Sequence, residues 1–336
     1  MTRQVTLRVL ILGVFAGVLS TGCGGDRDAL TIYSGRSENL IGPLLEQFAE
    51  ETDIAIDVRY GDSTDLALLL AEEGERTPAD VFLSQSPGTV GFLAERDLLA
   101  PLGEETLEAV PSQFESADGL WVGVSARRRV LVYNSDDVSP DELPRSVFEL
   151  TAAEYRGRVG VAPSNASFQD FVSVMRQAEG DERTAAWLRG LAENDAQIYA
   201  NNNAIVEAVS RGEIPFGLVN HYYNERFLDE DPDLPSRNHV FPDGDVGSIP
   251  LVTTVSVLAG SGRSEEARRF VEFLLTPEAQ RFYSEETFEY PLAPGVEPAA
   301  RLEPLAEDVE LGYDIERLGA ELESTARLIA DSGLEE

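Results

Sequence analysis

From Leu30 onward the chain alternates short β-type runs with amphipathic helical runs, and that alternation restricts it to α/β folds. Leu30 to Tyr33 reads as a strand, and Asn39 to Glu50 places Leu40, Ile41, Leu44, Leu45 and Phe48 at the spacing of one helix face. Ile54 to Val58 and Val81 to Leu83 read as further strands, with helices over Asp65 to Glu73 and Thr89 to Arg96. Strand and helix in this succession form right-handed crossovers that cover both faces of a parallel sheet, and ligands then sit outside the carboxyl ends of the strands. The rule points to the loops Ser34 to Glu38, Tyr60 to Ser63 and Ser84 to Gly88.

A second α/β region follows. Val130 to Tyr133 and Pro215 to Val219 read as strands, and Phe171 to Ala178, Glu182 to Ala192 and Ile205 to Arg211 as helices. Val252 to Leu258 is another apolar β run, followed by helices over Glu265 to Leu275, Pro277 to Tyr283 and Asp314 to Ile329. With 336 residues the chain is long for one core, so two lobes of roughly 150 residues each are expected.

The formal charge is −35, from 61 acidic residues and 26 basic ones, all arginine. Such an excess argues against nucleic acid, whose phosphates need a basic face, and against electrostatic docking on anionic lipid. At the start, Arg3 and Arg8 precede an apolar run from Val9 to Leu19 that is too short to span a bilayer but fits the core of an export signal. Cys23, the only cysteine, follows Leu19-Ser20-Thr21-Gly22 in the arrangement of a lipoprotein cleavage site, with Ser20 standing where an aliphatic residue is usual. Residues 1–22 are therefore expected to be a lipoprotein signal peptide and 23–29 a polar tether on an acylated Cys23. No intrachain disulfide can form, so an exported fold must rely on packing.

The stretch richest in chemistry is Val219-Asn220-His221-Tyr222-Tyr223-Asn224, where an apolar strand ends and a helix would begin. Neighbouring residues face opposite sides of a strand, and lie about 100° apart on a helix, so adjacent tyrosines share one target only at such a transition. A helix start favours phenolate over phenol, and phenolate oxygen is a hard donor suited to a hard cation, for which ferric iron is the natural candidate. Taken alone, the pair fits surface packing equally well.

Nearly the whole mature chain resembles the bacterial ferric-iron-binding proteins of ABC importers. The likeness is carried by Leu30-Thr31-Ile32-Tyr33-Ser34-Gly35-Arg36-Ser37-Glu38, Val58-Arg59-Tyr60-Gly61-Asp62-Ser63 and Thr77-Pro78-Ala79-Asp80-Val81-Phe82. It continues in Trp121-Val122-Gly123-Val124-Ser125, Ser164-Asn165-Ala166-Ser167-Phe168-Gln169, Val219 to Tyr223 and Glu289-Tyr290-Pro291-Leu292. The resemblance implies a two-lobed periplasmic-binding-protein fold of the class II type, each lobe a mixed sheet flanked by helices, with the ligand cleft between lobes. The expected division is 30–126 plus 253–300 for the N-terminal lobe and 127–252 plus 301–336 for the C-terminal lobe, with two hinge crossings. It implies Fe³⁺ as cargo, carbonate or a similar synergistic anion, a permease and its ATPase subunit as partners, a monomer, and contact with membrane only through the lipid anchor.

Residue by residue, Tyr222 and Tyr223 fall on the paired iron ligands, and Asn165, Ala166, Ser167, Asn202 and Asn220 on positions that line the anion. Members that use a His and a Glu from the first lobe have them where this chain carries Ser37 and Gln85, so that four-residue ligand set is absent. Two phenolates leave one positive charge on Fe³⁺ and open coordination sites for an oxyanion. Arg36, with its planar fork, is a candidate to hold that anion, and Tyr33 and Tyr60 are candidates for a third phenolate. His221 reads as a structural histidine, and Arg127, Arg128 and Arg129 as a segment near the crossing where a cation faces the cleft. No Gly-x-Ser-x-Gly elbow, His-Glu-x-x-His or phosphate-binding glycine loop occurs, so the chain is not expected to be an enzyme.

Overall fold

The computed structural model describes residues 29–242, 244–302, 305 and 311–334. The leader, most of the tether and Cys23 lie outside those residues. The first lobe opens with β1 (Leu30–Ser34), α1 (Glu38–Thr52), β2 (Ile56–Tyr60), α2 (Ser63–Glu73), β3 (Val81–Ser84) and α3 (Gly88–Ala94), followed by the short β4 (Leu99–Ala100) and α4 (Glu104–Leu107). The long β5 (Val122–Asn134) leads into the second lobe, which holds β6 (Val159–Val161), α5 (Ala166–Glu179), α6 (Asp181–Glu193), β7 (Gln197–Ile198), α7 (Asn202–Ser210), β8 (Phe216–Asn220), α8 (His221–Glu230) and β9 (Ser236–His239). The chain returns along β10 (Pro250–Leu258) to α9 (Ser264–Leu274), α10 (Pro277–Glu285) and β11 (Tyr290–Pro291), and ends in α11 (Ile315–Ala330).

The mixed sheet runs in the order β2-β1-β3-β10-β5-β8-β6-β7. β1 is parallel to β2 and β3, as the βαβ pattern requires, and β10 lies antiparallel between β3 and β5. β5 serves both lobes. Pairing with β10 reaches Arg127 and Arg128, and pairing with β8 starts at Arg129. The sequence pattern shows only the end of this strand, because a run of three like charges is more often solvated than buried, although the family resemblance sets it near the crossing between lobes. All three are buried instead, as part of a thirteen-residue strand that leaves one lobe and enters the other.

Helices cover the sheet with the apolar faces that the periodicity marks: Leu40, Ile41, Leu44, Leu45 and Phe48 of α1 are buried in the first-lobe core, with Phe48 edge-on to Phe270 at 5.1 Å. In the second lobe Phe168, Phe171 and Trp187 form an aromatic cluster.

The C-terminal helix joins the two bodies. Ile315 belongs to the first-lobe core, Leu318 and Ile329 to the second, although sequence division places all of 301–336 in the second lobe. On α5 it bonds through Ser173 to Thr325 at 2.8 Å and through Arg176 to Ser324 and Thr325 at 2.8 and 2.7 Å. On α3 it packs backbone to backbone: a Cβ on Gly319 would stand 2.3 Å from the Phe92 nitrogen, and one on Gly91 2.2 Å from the Glu316 oxygen. Neither neighbour is a side chain that can turn aside. Gly319→Ala is therefore expected to lower unfolding free energy by about 1–3 kcal/mol in denaturant titration, whereas Gly262→Ala, with nothing within 4 Å, should leave it unchanged.

Candidate functional site

β8 is buried along its length and stops at Asn220, and α8 begins at His221. Tyr222 and Tyr223 thus fall in the first turn of α8, where their rings stack with centroids 4.3 Å apart and planes at 27°. Tyr222 is fully buried and packs into the first-lobe core although its helix belongs to the second lobe. Gln85, from the loop after β3, donates its Nε2 to the Tyr222 oxygen at 2.7 Å. Burial, reinforced by Tyr223, holds the Tyr222 phenol well above its ordinary value, so without a cation it stays protonated. A bound trivalent ion is the kind of local charge that reverses this preference.

Tyr223 opens onto a cavity of about 80 Å³ between the lobes. Its walls are Gly35, Asp62, Ser63, Gln85 and Ser86 from the first lobe, Arg127 from the crossing strand, and Asn165, Ala166, Ser167 and Asp170 from the second. A larger concavity of about 850 Å³ holds Tyr33, Arg59 and Arg263, but all its walls belong to the first lobe. The smaller one is the cleft, because there residues of both lobes meet Tyr223 of the phenol pair.

Two contacts already bridge that cleft besides Gln85 to Tyr222. Ser86 donates its hydroxyl to Asp170 at 2.5 Å, and the Arg127 guanidinium lies 3.7 Å from the other oxygen of Asp170 while also donating to the Gln85 carbonyl. Burial pushes the Asp170 carboxyl up to about 6 against the pull of Arg127.

Of the anion-lining candidates named from sequence, Asn165, Ala166 and Ser167 line the cavity, whereas Asn202 and Asn220 are buried and outside its lining. Asn165 caps α5, accepting from the Ser167 backbone N–H at 3.1 Å and from its hydroxyl at 2.6 Å. Asn202 donates to Asn165 at 3.2 Å and to Ser167 at 3.1 Å. Arg129, fully buried, reaches Ser167 at 3.5 Å, Asn220 Oδ1 at 3.3 Å and the Leu218 carbonyl at 3.0 Å. Among the described residues no carboxylate stands within 4 Å of it, its guanidinium lies over the Phe171 ring at 5.3 Å, and burial draws it down to about 9.

Three candidates are placed elsewhere. Arg36 does not line the cleft cavity: both arms of its fork are engaged by Glu289, at 2.9 and 2.5 Å, in a fully buried pair. Tyr33 turns its hydroxyl to Glu73 at 3.2 Å, and Tyr60 lines an outer groove beside α1. The cause is shared. Strand ends face the cleft with their following loops, here Gly35, Ser63 and Gln85, whereas the last tyrosines of β1 and β2 point along the sheet faces. Ser37, at the N-cap position of α1 without a side-chain capping bond, is exposed, so it too stays outside. Asp62 and Asp170 escaped the sequence reading. For Asp170 a signal existed, since it lies three residues after Ser167 on one helix and so shares its face.

His221 accepts the Arg128 backbone N–H at Nδ1 (3.1 Å) and stacks on Tyr290 at 4.9 Å.

Two α/β lobes, two strands passing between them and a polar cavity at their junction define a cleft receptor of the periplasmic-binding type. The chain belongs to the bacterial extracellular solute-binding protein family, whose sequence profile matches residues 76–310. It is 30% identical to the Fe(3+)-binding periplasmic protein of Serratia marcescens, over 91% of this chain and 90% of that one. Among solved structures, iron-bound HitA from Pseudomonas aeruginosa superposes with a TM-score of 0.85 at 33% identity, over 91% of this chain and 99% of that one. A Trichodesmium protein, IdiA (FutA), in complex with iron and citrate gives 0.79 at 26% identity, over 91% and 99%.

The buried His221 yields a prediction. Burial draws its imidazole from 6.5 to about 4, so its neutral form contributes stability in full above pH 6.5 and loses it as pH falls towards 4. Wild type should lose on the order of 3 kcal/mol more than His221→Gln between pH 7 and 4, measured by denaturant titration at each pH. Equal losses would exclude His221 as the source.

Proposed function

We propose that this chain is an extracytoplasmic receptor that captures ferric iron together with a synergistic anion and delivers it to an ABC importer. The observation that supports it most is the stacked Tyr222–Tyr223 pair at the start of α8, of which Tyr223 lines a cavity shared by both lobes and Tyr222 is buried behind it against Gln85. Phenolates are hard donors, and although the carboxylates of Asp62 and Asp170 share the cavity, among the described residues no group of three or more His, Cys, Asp and Glu is arranged for a metal. The two phenolates leave one positive charge on Fe³⁺, which an oxyanion in the Asn165–Ser167 cradle would offset. A cavity of about 80 Å³ has room for a few waters, which suits a small oxyanion such as carbonate. The relatives' iron-bound and iron-citrate complexes support the same reading.

Delivery requires a permease with its ATPase, and the receptor acts as a monomer held at the membrane through Cys23. Among the described residues no helix is long and apolar enough to cross a bilayer. Cys23→Ser is expected to move the exported protein from the membrane fraction to the soluble one, and an unchanged distribution would refute the anchor.

Iron binding is checked optically. Ferric salt with bicarbonate should produce a phenolate-to-iron charge-transfer band that Tyr222→Phe and Tyr223→Phe each abolish, with affinity lower by about a hundredfold or more. Because Tyr222 is held protonated, binding must expel its proton, so affinity should fall by about tenfold per pH unit for each proton released as the medium is acidified. A band that survives both substitutions, or an affinity flat in pH, would refute the assignment.

A further inference from the structure

Of the three arginines on β5, two have their charge answered. Arg127 turns to Asp170, and Arg129 to the oxygens of Ser167, Asn220 and Leu218. Successive side chains leave opposite faces of a strand, so Arg128 stands on the other face, away from the cleft. It is only 6% exposed, yet among the described residues its guanidinium makes no ion pair and no hydrogen bond. Its Nε is buried without a partner, and the Tyr290 ring lies 5.9 Å away. A guanidinium is all donor, and leaving one buried and unanswered costs stability.

Arg128 lines a pocket of about 400 Å³ at the start of β10. Phe241, Val246, Ile249 and Leu311 give it apolar walls. Ser248 accepts the Phe241 backbone N–H at 2.7 Å and among the described residues donates to nothing, so its hydroxyl hydrogen is open to an occupant. Glu179 and Asp245 also line the pocket, but each is engaged: Glu179 pairs with Arg183, and Asp245 accepts the Val147 and Gly247 backbone N–H groups at 3.2 and 2.8 Å. No residue that lines this pocket lines the cleft cavity.

We propose that this pocket is a second ligand site, separate from the cleft, that takes an organic monocarboxylate on Arg128. A planar carboxylate matches the guanidinium fork and supplies the missing opposite charge. The apolar walls call for an apolar body, the volume is one that small-molecule sites commonly have, and Glu179 and Asp245 exclude a second negative charge. Because Arg128 of β5 pairs with Pro250 of β10, the occupant sits against both strands that pass between the lobes. The inference does not rest on the iron reading.

Benzoate and hexanoate are the probes, titrated by calorimetry into iron-free protein. Wild type should bind each with a Kd of about 1 mM or tighter, and should bind benzamide, hexanamide and the dicarboxylate adipate at least about tenfold more weakly. Arg128→Met should bind benzoate at least about tenfold more weakly while melting at a higher temperature, since it removes a buried charge that the protein leaves unanswered. An arginine that only supports the fold would lower the melting temperature and leave benzoate binding alone. Ile249→Trp keeps the arginine but fills the pocket, so it too should lose benzoate, and it decides the matter if Arg128→Met does not fold. Saturating bicarbonate should leave benzoate affinity unchanged. The proposal is overturned if wild type binds benzoate no better than benzamide, if either variant binds benzoate within twofold of wild type, or if bicarbonate displaces it. Wild type that forms no ferric band leaves every one of these outcomes as stated, so the two readings fail separately.

Discussion

Everything at the cleft depends on how three consecutive guanidiniums are accommodated inside a single strand. A buried charge is tolerated only when its surroundings supply opposite charge or several oriented oxygens, and removing one partner of such a pair typically costs several kcal/mol. β5 meets that demand differently at each position as it passes between lobes. Arg127 turns to Asp170 and the Gln85 carbonyl, Arg128 lies near the Tyr290 ring, and Arg129 rests on the oxygens of Leu218, Asn220 and Ser167. The partners come from the loop after β3, from α5, β8 and β11, so the triplet fixes the crossing strand against both lobes at once. The neighbouring Arg36–Glu289 pair does the same for the loop after β1, where burial lowers the guanidinium's pKa but Glu289 outweighs it and leaves the charge secure.

Against that frame the phenol pair gains its geometry. The turn from β8 into α8 aims two adjacent rings at one place, and packing of Tyr222 into the opposite lobe makes its position a function of closure. Gln85 and Ser86 reach across from one short loop, to Tyr222 and to Asp170, so closure, ligand geometry and protonation are set by the same few contacts.

Much of this is legible in the amino-acid sequence. The βαβ alternation and the helix periodicities mark nearly every large element, and the strand-to-helix transition at Asn220–Tyr223 is visible from residue types alone. What escapes is whatever depends on pairing between distant segments. The burial of the arginine triplet is hidden because its partners are distant, from Ser167, 38 positions from Arg129, to Tyr290, 162 positions from Arg128. Arg36 looks free because Glu289 is 253 positions distant, and the glycines of α3 and α11 look unremarkable until the two helices meet. Tyr33 and Tyr60 show the limit of the sheet rule: it locates loops correctly but does not say which way a terminal side chain points.

The interleaving of the chain also bears on how the protein is made. Neither lobe is a continuous segment: β10, near residue 250, separates β3 from β5 in the first-lobe part of the sheet, and the last helix lies on both α3 and α5. A chain emerging amino end first, whether from a ribosome or across a membrane, therefore has no completed lobe to fold until almost its full length has appeared.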